Sequence, residues 1–316
     1  MSRCARVLAI LVGLAALAAG ALAIRTAVAE AGFARAYPVP GRLVDVTGQP
    51  VHVIERGTGR AVVMIHGNPG TALDFALVQQ HLAPRFRTLA VDRPGYGWSA
   101  RPKPRMSPAA QAERIRAAVR SLGAKRVLLA GFSYGGPVVL AWAEAHRDEV
   151  DALVLIAAVG SPDDPIEAGA AQKLLGWALL GPAMAWTIGP LLAPSSIEAG
   201  YATAFSPAPP DAGAVARGRI HFARPVSLQS AAHDWAVLPE SFPALAAGYA
   251  KLDLPVEVLV ADQDRVVSPA HGRYLAEHLR AAPVTHIPGA GHGIQYTHAG
   301  VISAAIERAA SRLHRR

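Results

Sequence analysis

Cysteine and lysine are the chemically versatile residues that this sequence uses least. The chain of 316 residues contains one cysteine, Cys4, so an internal disulfide and a metal site built from cysteines are both excluded. Lysine occurs at only four positions, and arginine therefore supplies most of the positive charge behind the formal net charge of +8. The arginines are scattered, and no basic stripe is interleaved with aromatic side chains. We therefore expect no nucleic-acid partner.

Charged residues are scarce as well, at 17% of the chain, whereas hydrophobic residues make up 52%. This balance argues against long disordered segments, and the length fits one large domain or one domain with an insertion. Zinc-hydrolase patterns such as H-E-x-x-H are missing. The stretch Gly57-Thr58-Gly59 lacks the helix and the lysine that a phosphate-binding loop needs. We expect neither a metal nor another cofactor.

A long uncharged hydrophobic run, Val7–Ile24, lies near the N-terminus behind Arg3 and Arg6. At 1.5 Å per residue, a helix of this length covers about 27 Å, which is close to the hydrocarbon thickness of a bilayer. Residues 1–35 are therefore predicted to be a membrane anchor, with the large domain outside the cytoplasm.

Two further features of this N-terminal segment affect that prediction. Small-residue sites of the A-x-A type occur at 21–23 and 27–29, so a cleaved signal peptide is the alternative, and the mature protein would then be secreted or periplasmic. The stretch Arg25–Arg42 contains Pro38 and Pro40, and we expect it to be a spacer that holds the folded domain away from the membrane surface.

Apolar runs alternate with helical patterns through the rest of the chain. Continuous runs of this kind predict a mostly parallel sheet that helices cover on both faces. The runs lie at 61–67, 87–95, 126–133 and 151–158, and the pattern resumes at 256–264 and 284–292. Between them, residues 161–250 are helical in composition and rich in proline. We therefore expect a core of residues 36–160 and 251–316 with a helical lid inserted at 161–250.

The sequence GFSYGG at 131–136 directly follows one of the apolar runs. Small neighbours allow a very tight turn, and such a turn between a strand and a helix would present Ser133 at the carboxyl end of its strand. Chemistry gathers at this edge of an open parallel sheet. HGNPG at 66–70, DRPGYGWS at 92–99, Asp264 and His292 also follow strands, so we expect all of them at the same edge.

Together these stretches resemble the landmarks of the α/β-hydrolase family over residues 42–310, in the family's order. The resemblance implies an α/β-hydrolase fold in which Ser133 is the nucleophile, His292 the general base and Asp264 the acid that orients it. It also implies an oxyanion hole formed by the backbone N–H groups of Asn68 and Tyr134.

Several acids and histidines remain as alternatives to these assignments. Asp262 lies two residues before Asp264, and some relatives carry the acid after an earlier strand, which leaves Asp163 and Asp164 open. The glycine that the family usually places three residues before the acid is Ala261 here. Among the histidines, His66 is expected to brace its loop, and neither His286 nor His298 matches the position of the family's base.

The proposed lid contains an uncharged stretch, Leu174–Ala193, with Trp177, Met184 and Trp186 as candidate substrate-binding residues. Its glycines and prolines argue against a second membrane span. We expect a serine hydrolase that cleaves a carboxylic ester of a lipophilic small molecule. Family members that dehalogenate or open epoxides use an aspartate nucleophile, so those reactions are disfavoured. The alternatives are carbon–carbon, peptide or peroxide chemistry on the same triad, and a non-catalytic binder.

Overall fold

An eight-stranded sheet forms the centre of the protein in the computed structural model, which describes residues 2–280 and 282–315. The strands are β1 (Arg42–Val46), β2 (Gln49–Arg56), β3 (Arg60–Ile65), β4 (Phe86–Val91), β5 (Val127–Phe132), β6 (Val150–Ile156), β7 (Val256–Ala261) and β8 (Val284–Ile287). Their order across the sheet is β1-β2-β4-β3-β5-β6-β7-β8. Only the pairs β1–β2 and β2–β4 are antiparallel among the described strands, so the predicted mostly parallel sheet is confirmed.

Helices cover both faces of this sheet, as predicted. The α-helices of the described residues are α1 (Arg3–Ala36), α2 (Ala76–Leu82), α3 (Pro108–Ser121), α4 (Gly135–Ala145), α5 (Ala170–Leu175), α6 (Leu180–Trp186), α7 (Gly189–Phe205), α8 (Ala212–Phe222), α9 (Pro225–Gly248), α10 (Pro269–His278), α11 (Ile294–Thr297) and α12 (Ala299–Ser311). Helices α3, α4 and α10 pack on one face, and α2 and α12 pack on the other.

The central strands read as continuous apolar runs because both of their faces are buried. In β3, Val63 and Ile65 belong to the core beneath α3 and α4, whereas Val62 and Met64 belong to the core beneath α2 and α12. Successive side chains of a strand point to opposite faces, so a strand covered on both sides needs an apolar residue at every position. Burial of each such side chain contributes roughly 1.5–3 kcal/mol.

The helical insertion, called the cap from here on, lies between β6 and β7 and contains α5 to α9. Its uncharged stretch Leu174–Ala193 is divided among α5, α6 and the start of α7, which agrees with the expectation that glycine and proline interrupt it. Pro190 lies in the first turn of α7, where its missing N–H costs no helical hydrogen bond.

The domain ranges expected from the sequence include positions 1, 281 and 316, which are outside the described residues.

Helix α1 is the one helix in the described part of the chain that is long and apolar enough to cross a membrane. It has 34 residues, a length of about 51 Å. None of its most apolar 18-residue window is buried in the protein.

The segment expected to be a spacer differs from that expectation. It remains helical to Ala36, and Thr26 and Phe33 are buried against the folded domain. Glu30 also forms an ion pair with Arg224 of the cap. The domain is therefore fixed beside the apolar run and is not held away from it.

Candidate active site

Ser133 lies in the tight turn between β5 and α4, with a backbone φ of +53°. This left-handed conformation is costly for a residue other than glycine, so its surroundings must hold it in place. The backbone N–H of Ser133 donates to Ile156 O (3.0 Å), and its carbonyl accepts from Gly136 N (2.9 Å) and Val159 N (3.1 Å). The neighbouring strand β6 and its following loop thus hold the turn on both sides.

The glycines around Ser133 are required by the space available to them. A Cβ on Gly131 would lie 2.6 Å from Gly135 O, and a Cβ on Gly135 would lie 2.2 Å from Ile65 O. Real Cβ atoms do not approach backbone oxygens so closely. The small residues of this turn therefore allow β5, α4 and the end of β3 to meet at the serine.

His292 and Asp264 form a hydrogen-bonded pair next to this turn. His292 Nδ1 lies 2.6 Å from Asp264 Oδ2, and the other carboxylate oxygen accepts from Val266 N and Val267 N, both at 2.8 Å. The ring of Phe132, the residue before Ser133, contacts the imidazole at a centroid distance of 4.7 Å. With Nδ1 donating to the carboxylate, Nε2 of a neutral ring is the nitrogen that can accept a proton.

Two of the three other candidate acids lie beside other histidines. Asp262 Oδ1 lies 2.7 Å from Nδ1 of His286. Asp164 Oδ2 lies 4.0 Å from Nε2 of the buried His271. The backbone N–H of Asp163 donates to the Ser161 hydroxyl, 3.1 Å away. Of these acids, only Asp264 is hydrogen-bonded to His292 within the described residues.

His66 braces the loop after β3, as its position led us to expect. It is fully buried, and its Nε2 accepts from Arg93 N (2.9 Å) while Nδ1 donates to Gly67 O (2.9 Å). Burial, assisted by the positive charge of Arg93, lowers the pKa of His66 to about 3. The ring is therefore neutral at neutral pH and serves as a structural link.

His298, the other histidine near the proposed base, contacts the hydroxyl of Thr297 through Nδ1 (2.8 Å).

The loop after β3 approaches the serine closely. A Cβ on Gly67 would lie 2.9 Å from Ser133 Cβ and 3.2 Å from the ring of Phe132. Asn68 is the next residue of this loop, and Tyr134 lies at the N-terminus of α4 on the other side of Ser133. The first N–H groups of a helix have no intrahelical acceptor, so the N–H of Tyr134 is free to donate a hydrogen bond to an anion.

The side chain of Asn68 contacts the cap. Its amide nitrogen donates to Ala231 O (3.1 Å), and its amide oxygen accepts from the hydroxyl of Tyr96 (3.1 Å). These bonds connect the loop after β3 with helix α9 and with the turn after β4. The backbone of Asn68 is therefore held in place from two directions.

A buried ion pair that no sequence pattern predicted lies behind this loop. The guanidinium of Arg93 has no exposed surface and donates to His66 O (3.0 Å), Gly67 O (2.8 Å) and Asp234 Oδ2 (2.7 Å). Asp234 belongs to α9 of the cap and also accepts from Arg101 at 2.8 Å. The available signal was an aspartate directly before the apolar stretch WAVL in a helix that is otherwise poor in charge.

Tyr134 is attached to the same network. Its hydroxyl donates to the backbone oxygen of Asp234 (3.1 Å), and its ring lies 4.5 Å from the guanidinium carbon of Arg93. The residue that follows the serine is thus packed directly against helix α9.

A second part of the cap covers the turn that carries His292. The N–H of Gly293 donates to Ala204 O (2.9 Å), and a Cβ on Gly291 would lie 2.2 Å from Ser206 O. Phe205, at the end of α7, stacks on Tyr296 at a centroid distance of 5.4 Å. The end of α7 therefore closes one side of the site.

Asp74 is a buried carboxyl group near this contact. It accepts from the hydroxyl of Tyr296 (2.6 Å) and from Thr71 N (2.9 Å). Burial raises the pKa of Asp74 to about 6, although both hydrogen bonds oppose the rise. The hydrogen bonds couple the loop after β3 to the helix that follows His292.

The three candidate substrate-binding residues lie in and beside α6. Trp177 is 55% exposed and Trp186 is 39% exposed, whereas Met184 is half-buried. Both tryptophans therefore present a large part of their surface to the outside of the cap. In the part of the chain that the structure describes, no cluster of three or more histidine, cysteine, aspartate or glutamate side chains could hold a metal ion.

Comparison with known proteins agrees with this architecture. Residues 60–181 match a family model described as the alpha/beta hydrolase fold. Haloalkane dehalogenase 2 of Mycobacterium tuberculosis is 32% identical over 120 residues, which is 38% of this chain and 42% of that protein. The chain aligns with less than half the length of such curated relatives.

Solved structures match much more of the chain, at lower identity. An esterase from Exiguobacterium antarcticum has a TM-score of 0.68 and 19% identity, covering 84% of this chain and 99% of that one. The haloalkane dehalogenase DbeA from Bradyrhizobium elkani has a TM-score of 0.70 and 22% identity, covering 85% and 98%. At these identities, the likeness is one of fold.

Proposed function

Because this chain belongs to the α/β-hydrolase family, we propose that it is a serine hydrolase that cleaves a carboxylic ester through an acyl-enzyme on Ser133. The observation that carries the proposal is the hydrogen bond of 2.6 Å between Asp264 and His292 beside the strained turn of Ser133. A serine hydroxyl is a weak nucleophile until a neighbouring base removes its proton.

In the proposed reaction, Nε2 of His292 takes the proton from the Ser133 hydroxyl as the oxygen attacks the ester carbonyl. Asp264 keeps the proton of the neutral ring on Nδ1 and stabilises the imidazolium that forms. His292 then returns the proton to the departing alcohol. Hydrolysis of the acyl-enzyme repeats the sequence with water as the nucleophile.

The oxyanion formed by this attack needs donors that are already in place. We assign this role to the backbone N–H groups of Asn68 and Tyr134. Gly67 brings the loop of Asn68 to within contact distance of Ser133, and Tyr134 adds the N-terminus of a helix. One such donor contributes on the order of 3–4 kcal/mol to lowering the barrier.

An ester of a lipophilic molecule is the proposed substrate. The names of the similar proteins include both esterases and haloalkane dehalogenases. Position 133 is a serine, whereas dehalogenating members of the family use an aspartate, so an ester fits this chain better. The uncharged stretch of the cap, with Trp177, Met184 and Trp186, supports an apolar acyl or alcohol group.

We further propose that α1 is a membrane anchor with the catalytic domain outside the cytoplasm. Its apolar window is long enough to span, and none of that window is buried in the protein. Cleavage after Ala29 would remove Thr26, which is buried against the folded domain. Retention of the whole helix keeps this contact.

A fluorophosphonate probe tests the proposed function on the full chain in detergent. The wild type should be labelled and should hydrolyse short and medium-chain p-nitrophenyl esters, and Ser133→Ala should lose both properties. Ser161→Ala is the matched control, because Ser161 is an equally buried serine after the neighbouring strand β6. Activity should survive EDTA. A wild type that resists the probe, or a Ser133→Ala variant that still turns over esters, would refute the proposal.

A further inference from the structure

The cap carries a concentrated patch of exposed apolar side chains. Outside α1, eleven large hydrophobic residues are exposed in the described part of the chain, and eight of them lie within residues 174–192. Their exposed fractions range from 37% to 89%. They form the surface called the cap patch, which consists of Leu174, Trp177, Leu179, Leu180, Trp186, Ile188, Leu191 and Leu192. This density indicates a surface with a partner.

The cap patch is adjacent to the end of the apolar run of α1. A cavity of about 330 Å³ separates α1 from the cap, with Leu22 and Thr26 on its α1 side and Pro190 and Leu191 on its cap side. Leu22 and Thr26 lie on either side of Ile24, the last residue of the run. The cap patch therefore begins at the level where a spanning helix would leave the hydrocarbon.

The contact between α1 and the cap is specific and partly buried. Glu30 accepts from Arg224 Nη2 (2.8 Å) and Nε (3.0 Å), and the guanidinium of Arg224 lies 3.7 Å from the centre of the Phe33 ring. Trp98, in the turn after β4, donates to Tyr37 O (3.2 Å). These bonds fix the direction in which the catalytic domain leaves the helix.

From this geometry we propose that the cap patch is inserted into the interfacial region of the membrane leaflet from which α1 emerges. The inference rests on the proposed anchor. Several observations favour lipid as the occupant: the patch adjoins the end of the spanning run, Leu174–Ala193 carries no charge, and both exposed tryptophans of the cap lie within it. Tryptophan is enriched at the boundary between headgroups and hydrocarbon.

Insertion of the patch determines which esters reach the active site. The cap that touches lipid also contacts the turns of Ser133 and His292, through Asp234 and Phe205 respectively. An ester dissolved in the leaflet would thus meet the cap without crossing water. The substrate class is therefore a membrane-partitioned ester with at least one long hydrocarbon chain.

Tryptophan fluorescence in vesicles tests the insertion directly. The full chain is reconstituted into vesicles of phosphatidylcholine and phosphatidylglycerol, with and without brominated phosphatidylcholine, which quenches only tryptophans in contact with lipid. Wild-type emission should be quenched, and Trp177→Phe/Trp186→Phe should lose most of that quenching. The control Trp235→Phe should keep it, because Trp235 is 8% exposed and packs on Tyr134.

The same samples separate this inference from the proposals on which it rests. Protein that does not float with carbonate-washed vesicles would refute the anchor. Protein that floats but shows no quenching would overturn the inserted patch alone. Wild-type oligomers that dissociate in the variant Leu179→Glu/Leu192→Glu would also overturn it, in favour of a protein partner.

Activity supplies an independent readout. Leu179→Glu/Leu192→Glu places charges at positions that are 89% and 61% exposed, so the fold should be unaffected. The variant should lose at least tenfold in rate on a long-chain ester in vesicles and keep its rate on p-nitrophenyl acetate. Leu43→Glu/Leu77→Glu, with the same charges away from the cap, should keep both rates. Equal loss on both substrates in the cap variant would overturn the inference.

Discussion

At the scale of single residues, hydrogen bonds to the second carboxylate oxygen distinguish Asp264 from its neighbours. Two backbone N–H groups, from Val266 and Val267, hold one oxygen and leave the other for His292. Asp262 pairs with an exposed histidine, where water screens the interaction. The buried pair can therefore keep one tautomer of His292.

We predict that Asp264→Asn lowers kcat on p-nitrophenyl esters by roughly 10⁴-fold, because an amide favours the wrong tautomer of His292, the proposed general base. Asp163→Asn and Asp164→Asn are the matched controls and should stay within a few-fold of wild type. Initial rates at saturating substrate measure the effect. Near-normal turnover of Asp264→Asn together with collapse of either control would reassign the acid.

At the scale of elements, helix α9 connects the cap to the core through a carboxylate that has no exposed surface. Asp234 accepts from Arg93, Arg101, Tyr96 and Gln111. Burying a charged side chain costs free energy, and good hydrogen bonds to an opposite charge and to other polar groups are needed to offset that cost. The pairing between α9 and the turn after β4 therefore determines where the cap sits over Ser133.

We predict that Asp234→Ala destabilises the protein by about 3–5 kcal/mol, because it leaves the buried charge of Arg93 without an opposite charge. Glu240→Ala, on the same helix, is the control. Glu240 pairs with Arg105, but both side chains are more than half exposed, so its loss should change little. Unfolding in detergent, followed by circular dichroism, compares the two. Equal stability of both variants would show that the cap is held by other contacts.

At the scale of the whole molecule, α1 combines an exposed apolar window with a last part that packs on the folded domain. Its apolar window contacts no core, whereas its last turns pack Phe33 between Tyr37, Trp98 and Arg224. With α1 as the proposed anchor, one continuous helix would set the distance and direction between the membrane and the cap. A domain on a flexible tether would sample many orientations, whereas a domain fixed to the helix would keep one.

We predict that the full chain fractionates with membranes and resists extraction by high salt and by carbonate. Exposed charges are screened over about 10 Å at 0.1 M salt, so a protein held only by its arginines would be released. Detergent alone should solubilise it. A mature chain that begins near Glu30 and is recovered entirely in the soluble fraction would show that the run is a cleaved signal.

The sequence by itself determined the fold and the edge of the sheet at which the candidate site lies. Runs such as VVMI in β3 are apolar at every position, and only a strand covered on both faces requires that pattern. The strand, the tight turn and the helix around Ser133 are local features, so the local pattern predicted where Ser133 lies. The choice of Asp264 and His292 as its partners came from the resemblance to the α/β-hydrolase family.

Only the tertiary structure decided how distant parts of the chain meet. The ion pair of Arg93 with Asp234 joins residues 141 positions apart, and that of Glu30 with Arg224 joins residues 194 positions apart. The hydrophobic pattern of the sequence does not predict such distant partners. It indicates which face of a helix or strand is buried, but it does not indicate which other segment covers that face. For the same reason, Arg25–Ala36 resembled a free spacer, although packing of Thr26 and Phe33 makes it part of the folded domain.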